Sequence, residues 1–161
     1  MVSLTVVRVE VPEGMNVIIG QSHFIKTVPD LYETLVASSP HLKFGIAFSE
    51  ASGYCLVRHE GNDKDLEQRA TDAALALACG HVFVIFLKEG FPINVLNGIK
   101  LCQEVCRIFC ATQNPLEVVV ASSEQGNGVV GVIDGFRPKG VEDENGKAWR
   151  IDLLKKFGYK L

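Results

Sequence analysis

Residues 81–87 read His-Val-Phe-Val-Ile-Phe-Leu, and the predicted fold is built around this segment. Its last six residues are apolar and either β-branched, aromatic or leucine, which is typical of a strand buried on both faces. A strand can be buried on both faces only if further layers of structure cover its sheet on each side. We therefore predict that residues 81–87 form the core strand of a sheet with helices packed on its faces.

Helices are predicted on either side of this strand along the chain. Asn62 or Asp63 is suited to cap a helix whose apolar stripe continues to Leu77. Pro92 suits the first turn of the helix that follows the strand. A short helix at residues 29–38 and a closing amphipathic helix at residues 149–157 complete the set.

The remaining strands are predicted from runs in which apolar and polar residues alternate. Residues 16–24 form either a strand or a loop, and residues 44–48 and 54–58 pair as a hairpin. The other strands lie at residues 3–11, 105–111, 116–121 and 129–133. Because strands, hairpins and helices interleave, we predict an α/β (α+β) domain with a mixed β-sheet and not a doubly wound fold.

Length and composition limit the classes of protein that this chain can belong to. Its 161 residues match the length of one domain, residues 1–161. Hydrophobic residues make up 47% of the chain and charged residues 22%, and this composition excludes a disordered or fibrous protein. A net charge of −3 gives the chain no broad positive electrostatic potential that would attract nucleic acid. The longest uncharged stretch, residues 73–87, is shorter than the roughly 20 residues that span a bilayer. We expect a cytoplasmic protein without nucleic-acid or membrane partners.

The five cysteines, at positions 55, 79, 102, 106 and 110, are expected to be thiols buried as small hydrophobic groups. They are odd in number, and none forms a Cys-x-x-Cys pair. A structural zinc site is therefore not predicted.

A glycine-rich segment, Gly126-Asn-Gly-Val-Val-Gly131, has the spacing of a dinucleotide fingerprint. That fingerprint works only where the glycine turn opens a helix, and here Val132 and Ile133 favour a strand. Residues 124–128 are therefore interpreted as a tight hairpin loop. The glycines either serve the turn alone or let the backbone approach a ligand beside Glu124 and Gln125.

Two further polar segments combine charged or amide side chains with helix starts. Residues 58–63, Arg-His-Glu-Gly-Asn-Asp, are either a capped helix start or a binding cluster in which Arg58 pairs with a carboxylate or phosphate. Asn94 and Asn97 lie three residues apart on the predicted helix after Pro92, so both side chains lie on one side of the helix. Their amides need hydrogen-bond partners.

The segment that follows the last strand, Asp134-Gly-Phe-Arg-Pro-Lys-Gly140, is the last polar candidate. Asp134, Arg137 and Lys139 could hold a metal ion or a phosphate, and the alternative is a solvated turn.

His81 is the most informative histidine because it opens the most apolar strand, where a polar ring needs a partner. It is either a hydrogen-bonded core histidine or a nucleophile or general base, since imidazole titrates near neutrality. His59, in the polar cluster, is the competing candidate. No P-loop, protein-kinase motif set or serine nucleophile elbow is present. The residue types thus favour a site for a small anionic or ribosyl ligand.

Five blocks in order resemble the small prokaryotic family of adenosine-specific kinases. The resemblance covers nearly the whole chain and is carried by Cys55 to Asp63, Gly80 to Phe86, Phe91 to Asn97, Val105 to Ala111 and Glu124 to Gly135. It implies a mixed α/β protein, a homotrimer, that binds adenosine or an adenine nucleotide and carries a phosphoryl group on a histidine. The family often has a basic residue where this chain has Asn127.

The resemblance also implies site residues. His81, in the Gly-His-aromatic block, corresponds to the phosphohistidine, with ATP or ADP and Mg²⁺ as expected cofactors. The nucleotide and phosphate ligands implied are Arg58, Asn62, Asp63, Asn94, Asn97, Glu124, Gln125, Gly126 and Gly128. Our hypothesis is that His81 accepts the phosphoryl group, residues 124–128 and Arg58 stabilise it, and Asp63 or Asp134 helps to hold Mg²⁺.

Two other functions stay open at this point. The first is a non-catalytic adenine-nucleotide sensor, which the absence of any established kinase motif favours. The second is an interaction protein without a ligand.

Overall fold

A computed structural model describes residues 1–161 and contains eight strands and four helices. In chain order these are β1 (Ser3–Val9), β2 (Asn16–Ser22), α1 (Thr27–Ser38), β3 (Lys43–Ser49), β4 (Val57–Gly61), α2 (Lys64–Leu77), β5 (Val82–Lys88), α3 (Pro92–Leu101), β6 (Val105–Thr112), β7 (Leu116–Ser122), β8 (Asn127–Asp134) and α4 (Glu144–Lys156).

The strands form two antiparallel sheets. The larger sheet has the order β4-β3-β5-β2-β6, and the smaller sheet has the order β1-β7-β8. The predicted core strand is the middle strand of the larger sheet, and the α+β class is confirmed. The strands divide between two sheets, and every pairing between the named strands is antiparallel.

The continuous apolar run of β5 is explained by what covers each face of the larger sheet. Phe83, Ile85 and Leu87 point to one face and pack with α1 and α3. Val82, Val84 and Phe86 point to the other face, where α2 and the smaller sheet cover them. Because side chains alternate along a strand, a strand between two packed layers must be apolar at every position.

One glycine allows α2 to lie directly on the larger sheet. A Cβ at Gly45 of β3 would stand 2.1 Å from the backbone nitrogen of Glu67, in the first half of α2. No side chain fits in that gap, so the helix backbone contacts the strand backbone.

The structure resolves one open alternative and differs from three local predictions. Residues 16–22 are a strand, which resolves the open alternative. The hairpin partner of β3 begins at Val57 and not at Tyr54, because residues 50–56 form a wider turn. Residues 58–61 therefore belong to β4 itself and precede the helix start. His81 lies in the turn before β5, where its φ of 62° is incompatible with a strand.

The closing helix is longer than predicted and does not pack on the rest of the chain. α4 begins at Glu144, and none of its residues is buried. Trp149 keeps 67% of its surface exposed, and Phe136, Val141, Phe157 and Leu161 in the same C-terminal part of the chain are also exposed. None of the four helices is both long enough and apolar enough to span a bilayer.

The candidate sites lie at the two ends of the larger sheet, and the strand register shows which residues meet at each end. The His81 end contains the end of β3 at Ser49, the end of β2 at Ser22 and the start of β5. The Lys88 end contains Lys43, Asn16 and the last residue of β5. Seven strand residues separate the two ends, which is about 20 Å at the usual rise per residue.

Candidate functional site

A cleft of about 740 Å³ opens at the His81 end, between the two sheets and the last turn of α2. We call it the glycine-loop cleft. Three segments line it: the turn after β3, the residues between α2 and β5, and the loop that joins β7 to β8. The lining residues from the predicted set are Gln125, Gly126 and Gly128, together with Gly80 next to His81.

Backbone contacts hold the glycine loop in place beside the turn that precedes β5. Cys79 forms an isolated parallel bridge with Asn127, which ties the loop to that turn. Within the loop, the backbone N–H of Ser123 donates to the carbonyl of Gly126 at 2.9 Å. The predicted tight loop at residues 124–128 is thus present. A strand follows it, whereas a dinucleotide fingerprint would need a helix there, so this segment is not such a fingerprint.

Space for ligand atoms is available at the loop glycines and absent at Gly80. A Cβ at Gly126 or Gly128 would meet no atom within 4 Å, so both backbones are open to the cleft. A Cβ at Gly80 would stand 2.9 Å from the Cβ of Ala51. The turn before His81 is therefore packed tightly against the β3–β4 turn.

The His81 backbone is held firmly while its ring is not hydrogen-bonded. Its N–H donates to the carbonyl of Ser49 at 2.7 Å, and its carbonyl accepts from the N–H of Ser22 at 3.0 Å. The half-buried ring stacks on Phe48, with 5.9 Å between ring centroids and 14° between planes. Phe48 packs with α1 and α3. The ring thus faces the α1 side of the sheet and does not line the glycine-loop cleft.

Arg58 lies on the same side of the sheet as the His81 ring. It stands directly opposite Phe48 in the β3–β4 pair, and opposite residues of an antiparallel pair point to one face. Its guanidinium pairs with Oε1 of Glu50 at 2.9 Å, while its buried Nε has no hydrogen-bond partner. The backbone N–H of Leu56 and then Arg58 lower the pKa of Glu50, so Glu50 is ionised.

His59 is oriented by a carboxylate that the sequence analysis did not identify. Its Nδ1 lies 2.6 Å from Oε1 of Glu67, and a carboxylate only accepts, so Nδ1 carries the proton. This leaves Nε2 of a half-exposed ring available as a nucleophile or base. The His59 hydrogen bond and Lys64 lower the pKa of Glu67, against burial, which raises it. No sequence pattern linked these residues, because they meet only through strand–helix packing.

Asn62 and Asp63 are engaged in structural contacts at the Lys88 end. The Asn62 amide accepts from the N–H of Phe44 and donates to the carbonyl of Leu42, each at 2.8 Å. Asp63 caps α2 and pairs with Lys88 at 3.0 Å. Burial raises the pKa of Asp63, but Lys88 and the helix N–H groups outweigh it and lower the pKa overall.

A second cavity, of about 870 Å³, lies at the Lys88 end between three loops. We call it the amide pocket. Its lining includes Asn16, Asn94, Gln113 and Asn114, with Glu13 and Glu89. Asp134 lies next to it and accepts hydrogen bonds from Thr112 at 2.7 Å and Asn114 at 3.1 Å.

Besides the two histidines, Arg58, Asn62, Asp63 and Asp134 described above, three further predicted site residues lie in neither cavity. Asn97 is exposed on α3, Glu124 is exposed at the tip of the glycine loop, and Lys139 is exposed in the segment after β8. The predicted site therefore separates within one chain into a His81 end and a Lys88 end.

The two predicted Mg²⁺ ligands, Asp63 and Asp134, are engaged by other side chains of the chain. No three His, Cys, Asp or Glu side chains lie close enough together to hold a metal ion. Asp63 is engaged by Lys88 and by its helix, and Asp134 by Thr112 and Asn114. Both carboxylates lie at the end of the sheet opposite His81, so one chain does not bring either of them to that histidine.

Comparison with known proteins gives a consistent match over the chain. The sequence model of a family described as adenosine specific kinase matches residues 7–160. Among solved structures, the chain is similar to the crystal structure of the PH1918 protein from Pyrococcus horikoshii OT3. Sequence identity is 46%, the TM-score is 0.95, and the alignment covers 100% of this chain and 99% of the other. No curated protein matches the sequence.

Proposed function

Because the chain belongs to the adenosine specific kinase family, we propose that it binds adenosine or an adenine nucleotide and transfers a phosphoryl group. The observation that carries this proposal is the glycine-loop cleft. There, an open glycine backbone is tied by the Cys79–Asn127 bridge to the turn that holds His81. Backbone N–H groups that converge in a loop are a common means of binding phosphate oxygens.

The cleft offers polar groups for a nucleotide but no cation. Ser49, Ser122, Ser123, Gln125 and Asn127 supply hydroxyls and amides. Glu50 is its one carboxylate, and no lysine or arginine lines it. Phosphate binding would rest on backbone N–H groups and on the guanidinium of Arg58. Arg58 lies outside the cleft lining, on the α1 side of the sheet, but pairs at 2.9 Å with Glu50, which does line the cleft.

The proposed chemistry runs through a phosphohistidine on His81, with ATP as donor. A ring nitrogen of His81 forms a bond to the γ-phosphorus, the bond to the bridging oxygen breaks, and its electron pair leaves on ADP. The 5′-hydroxyl oxygen of adenosine then attacks that phosphorus and displaces neutral imidazole, and the hydroxyl proton passes to solvent. The products are AMP and ADP.

Two features support His81 as the acceptor, and one supports His59. The His81 ring has no hydrogen bond to break before it rotates, and its φ of 62° is the kind of backbone strain that occurs at functional sites. His59 has the Glu67 contact that fixes its tautomer and leaves Nε2 free. His59 and Arg58 also line a separate groove of about 770 Å³ beside α1.

A homotrimer is part of the proposal because one chain leaves the site and much apolar surface uncovered. The glycine-loop cleft is open, and no segment within residues 1–161 closes over it. Trp149, Phe136 and the outer face of β1 at Leu4 and Val6 are exposed. Neighbouring subunits would exclude water from the cleft and cover these residues.

The alternative function is a non-catalytic nucleotide sensor. The absence of a cation from the cleft and the orientation of the His81 ring away from it favour this alternative. Incubation with adenosine and ATP distinguishes the two. AMP formation supports the kinase, whereas tight nucleotide binding in calorimetry without AMP formation supports the sensor.

The phosphohistidine is tested by incubation with γ-labelled ATP, followed by mapping of acid-labile label. We expect label on the peptide that contains residue 81, and its loss in His81→Ala but not in His59→Ala. His41→Ala, at an exposed loop position, is the matched control. Label retained in His81→Ala and lost in His59→Ala would assign the phosphoryl group to the histidine that Glu67 orients.

A further inference from the structure

We propose that the C-terminal segment of a second copy of this chain packs on the outer face of the smaller sheet and brings Lys155 and Lys156 to the glycine-loop cleft. The segment comprises residues 136–161 and contains α4. The role of the two lysines rests on the proposed function, because they would bind the phosphate of a nucleotide in the cleft. The contact between copies rests on the charges and exposed surfaces of the chain alone.

Charge is divided unevenly along the chain. Residues 136–161 contain seven of the 16 cationic side chains and four of the 19 carboxylates. This segment therefore has a formal charge of +3, and residues 1–135 have a formal charge of −6. Two of the seven cations form ion pairs within the segment, and the other five, which include Lys155 and Lys156, form none. A positive segment on one copy is thus complementary to the negative body of another.

The outer face of the smaller sheet is apolar and uncovered. Val6 of β1 stands opposite Val119 of β7, and Leu4 stands opposite Ala121. Leu4 and Val6 keep 66% and 57% of their surface exposed, whereas the inner face of the same sheet is buried. Ala121 also lines the glycine-loop cleft, so a segment that covers this apolar face reaches the edge of the cleft.

α4 has an apolar face that its own chain does not cover. Trp149, Leu153 and Lys156 are four and then three residues apart, so their side chains lie on one side of the helix. None of the residues of α4 is buried. Helix and sheet face therefore lack partners in one chain, and each supplies the kind of surface that the other needs.

The dimensions of the two surfaces agree. Lys156 lies about 10 Å along the helix axis from Trp149. Ser122, at the edge of the cleft, lies about 10 Å along β7 from Val119. A helix that places Trp149 over Val119, with its C-terminus towards the cleft, therefore brings Lys156 and the adjacent Lys155 to the cleft.

The cleft of a single chain lacks the positive charge that favours phosphate binding. Its one carboxylate is Glu50, and no lysine or arginine lines it. Cationic side chains stabilise the charge of a transferring phosphoryl group, and here a neighbouring copy supplies them. Because the helix and the sheet face are different surfaces of one chain, the contact is head to tail and can close as a ring.

Two full-length variants test the contact by sedimentation without nucleotide. Trp149→Ser removes the helix anchor and Val6→Asp places a charge on the sheet face, so each variant alone should be a monomer. Each retains the surface that the other has lost, so an equal mixture should form a heterodimer of one copy of each and nothing larger. Leu101→Ser, at an exposed apolar position on α3, is the matched control and should assemble like the unmodified chain.

Leu4→Asp is the second sheet-face variant should Val6→Asp not fold. A monomeric unmodified chain would overturn the contact. Mixtures that stay monomeric with both sheet-face variants would overturn it as well.

Calorimetry with AMP and with adenosine tests the two lysines. Replacing both Lys155 and Lys156 by Gln should weaken AMP binding about tenfold or more, the effect of a lost charge-assisted hydrogen bond. Adenosine affinity should not change, because adenosine has no phosphate. Replacing Lys100 and Arg107 by Gln is the matched control. It removes two exposed cations from the body of the chain and should keep AMP affinity.

Unchanged AMP affinity in the Lys155 and Lys156 variant, or an equal loss in its control, would overturn the role of the lysines. An unmodified chain that assembles but binds neither AMP nor adenosine would overturn the proposed function together with that role. The contact between copies would then still stand on the mixing result.

Discussion

At the scale of single residues, the environment of each histidine gives it a distinct chemistry. The His81 ring lies flat on Phe48 with no hydrogen bond, whereas the His59 ring is fixed by Glu67. The same type of side chain is therefore free to rotate in one case and held in one tautomer in the other. Both residues are candidates for phosphoryl transfer, and their contacts predict different responses to mutation.

The Glu67 contact predicts a stability change in acid. Since the folded protein lowers the pKa of Glu67, this carboxylate stabilises the fold above its ordinary pKa and loses that contribution as pH falls through the folded value. Unfolding by urea at pH 7 and at pH 3 should show a smaller acid loss in Glu67→Gln than in the unmodified chain. Glu60→Gln, on the exposed side of β4, is the control and should keep the full loss. Equal losses in all three proteins would contradict the prediction.

At the scale of elements, backbone-to-backbone contact sets the position of α2. The helix lies on β3 at Gly45, its N-terminus is capped by Asp63, and its last turn lines the glycine-loop cleft. A shift of α2 at Gly45 would therefore move residues 74–79 and the Cys79–Asn127 bridge with them. The position of the candidate site depends on a glycine outside it.

Gly45→Ala should lower the free energy of unfolding by about 3 kcal/mol, the upper range for overpacking a core. The added Cβ would be 2.1 Å from a backbone nitrogen, so the helix has to move. Chemical denaturation measures the change, and nucleotide affinity should fall with it. Gly128→Ala is the matched control, since its Cβ meets open space and stability should stay within about 0.5 kcal/mol. A tolerated Gly45→Ala would show that α2 is not held by this contact.

At the scale of the whole molecule, buried and exposed apolar residues are separated by position in the chain. Two buried clusters enclose the larger sheet, whereas the segment from Phe136 to the C-terminus has large apolar side chains and no buried helix residue. Exposed apolar surface of this kind is typical of subunit interfaces. The body of the chain and its C-terminal segment are thus expected to have different tasks, one folding the domain and the other assembling copies of it.

Removal of residues 140–161 tests this division. We expect the shortened chain to keep its folded circular dichroism spectrum, because α4 buries no residue against the body. Analytical ultracentrifugation should show a monomer for the shortened chain and the proposed trimer for the full chain. Trp149→Ala in the full chain is the milder variant and should weaken assembly without abolishing the fold. Unfolding of the shortened chain, or an unchanged oligomer, would contradict this prediction.

The individual elements were well predicted because local pattern determines them. The core strand, the α3 start at Pro92 and an α2 cap at Asn62 or Asp63, which the structure assigns to Asp63, follow from apolar runs, proline geometry and side-chain capping. All of these act within a few residues. The turn at His81 and the wide turn at residues 50–56 were mispredicted. Both depend on contacts with distant strands, which no window of sequence contains.

The candidate site was predicted as a set of residue types, and its arrangement was not. The α+β class, the family resemblance and the polar segments that line the two cavities can be recognised in the amino-acid sequence. The folded chain was needed to show that Asn94 and Asp134 lie at the Lys88 end, with the glycine loop at the His81 end, and that His59 contacts Glu67. The physical reason is that strand direction and sheet order set which ends of distant segments meet, and these follow from packing of the whole chain.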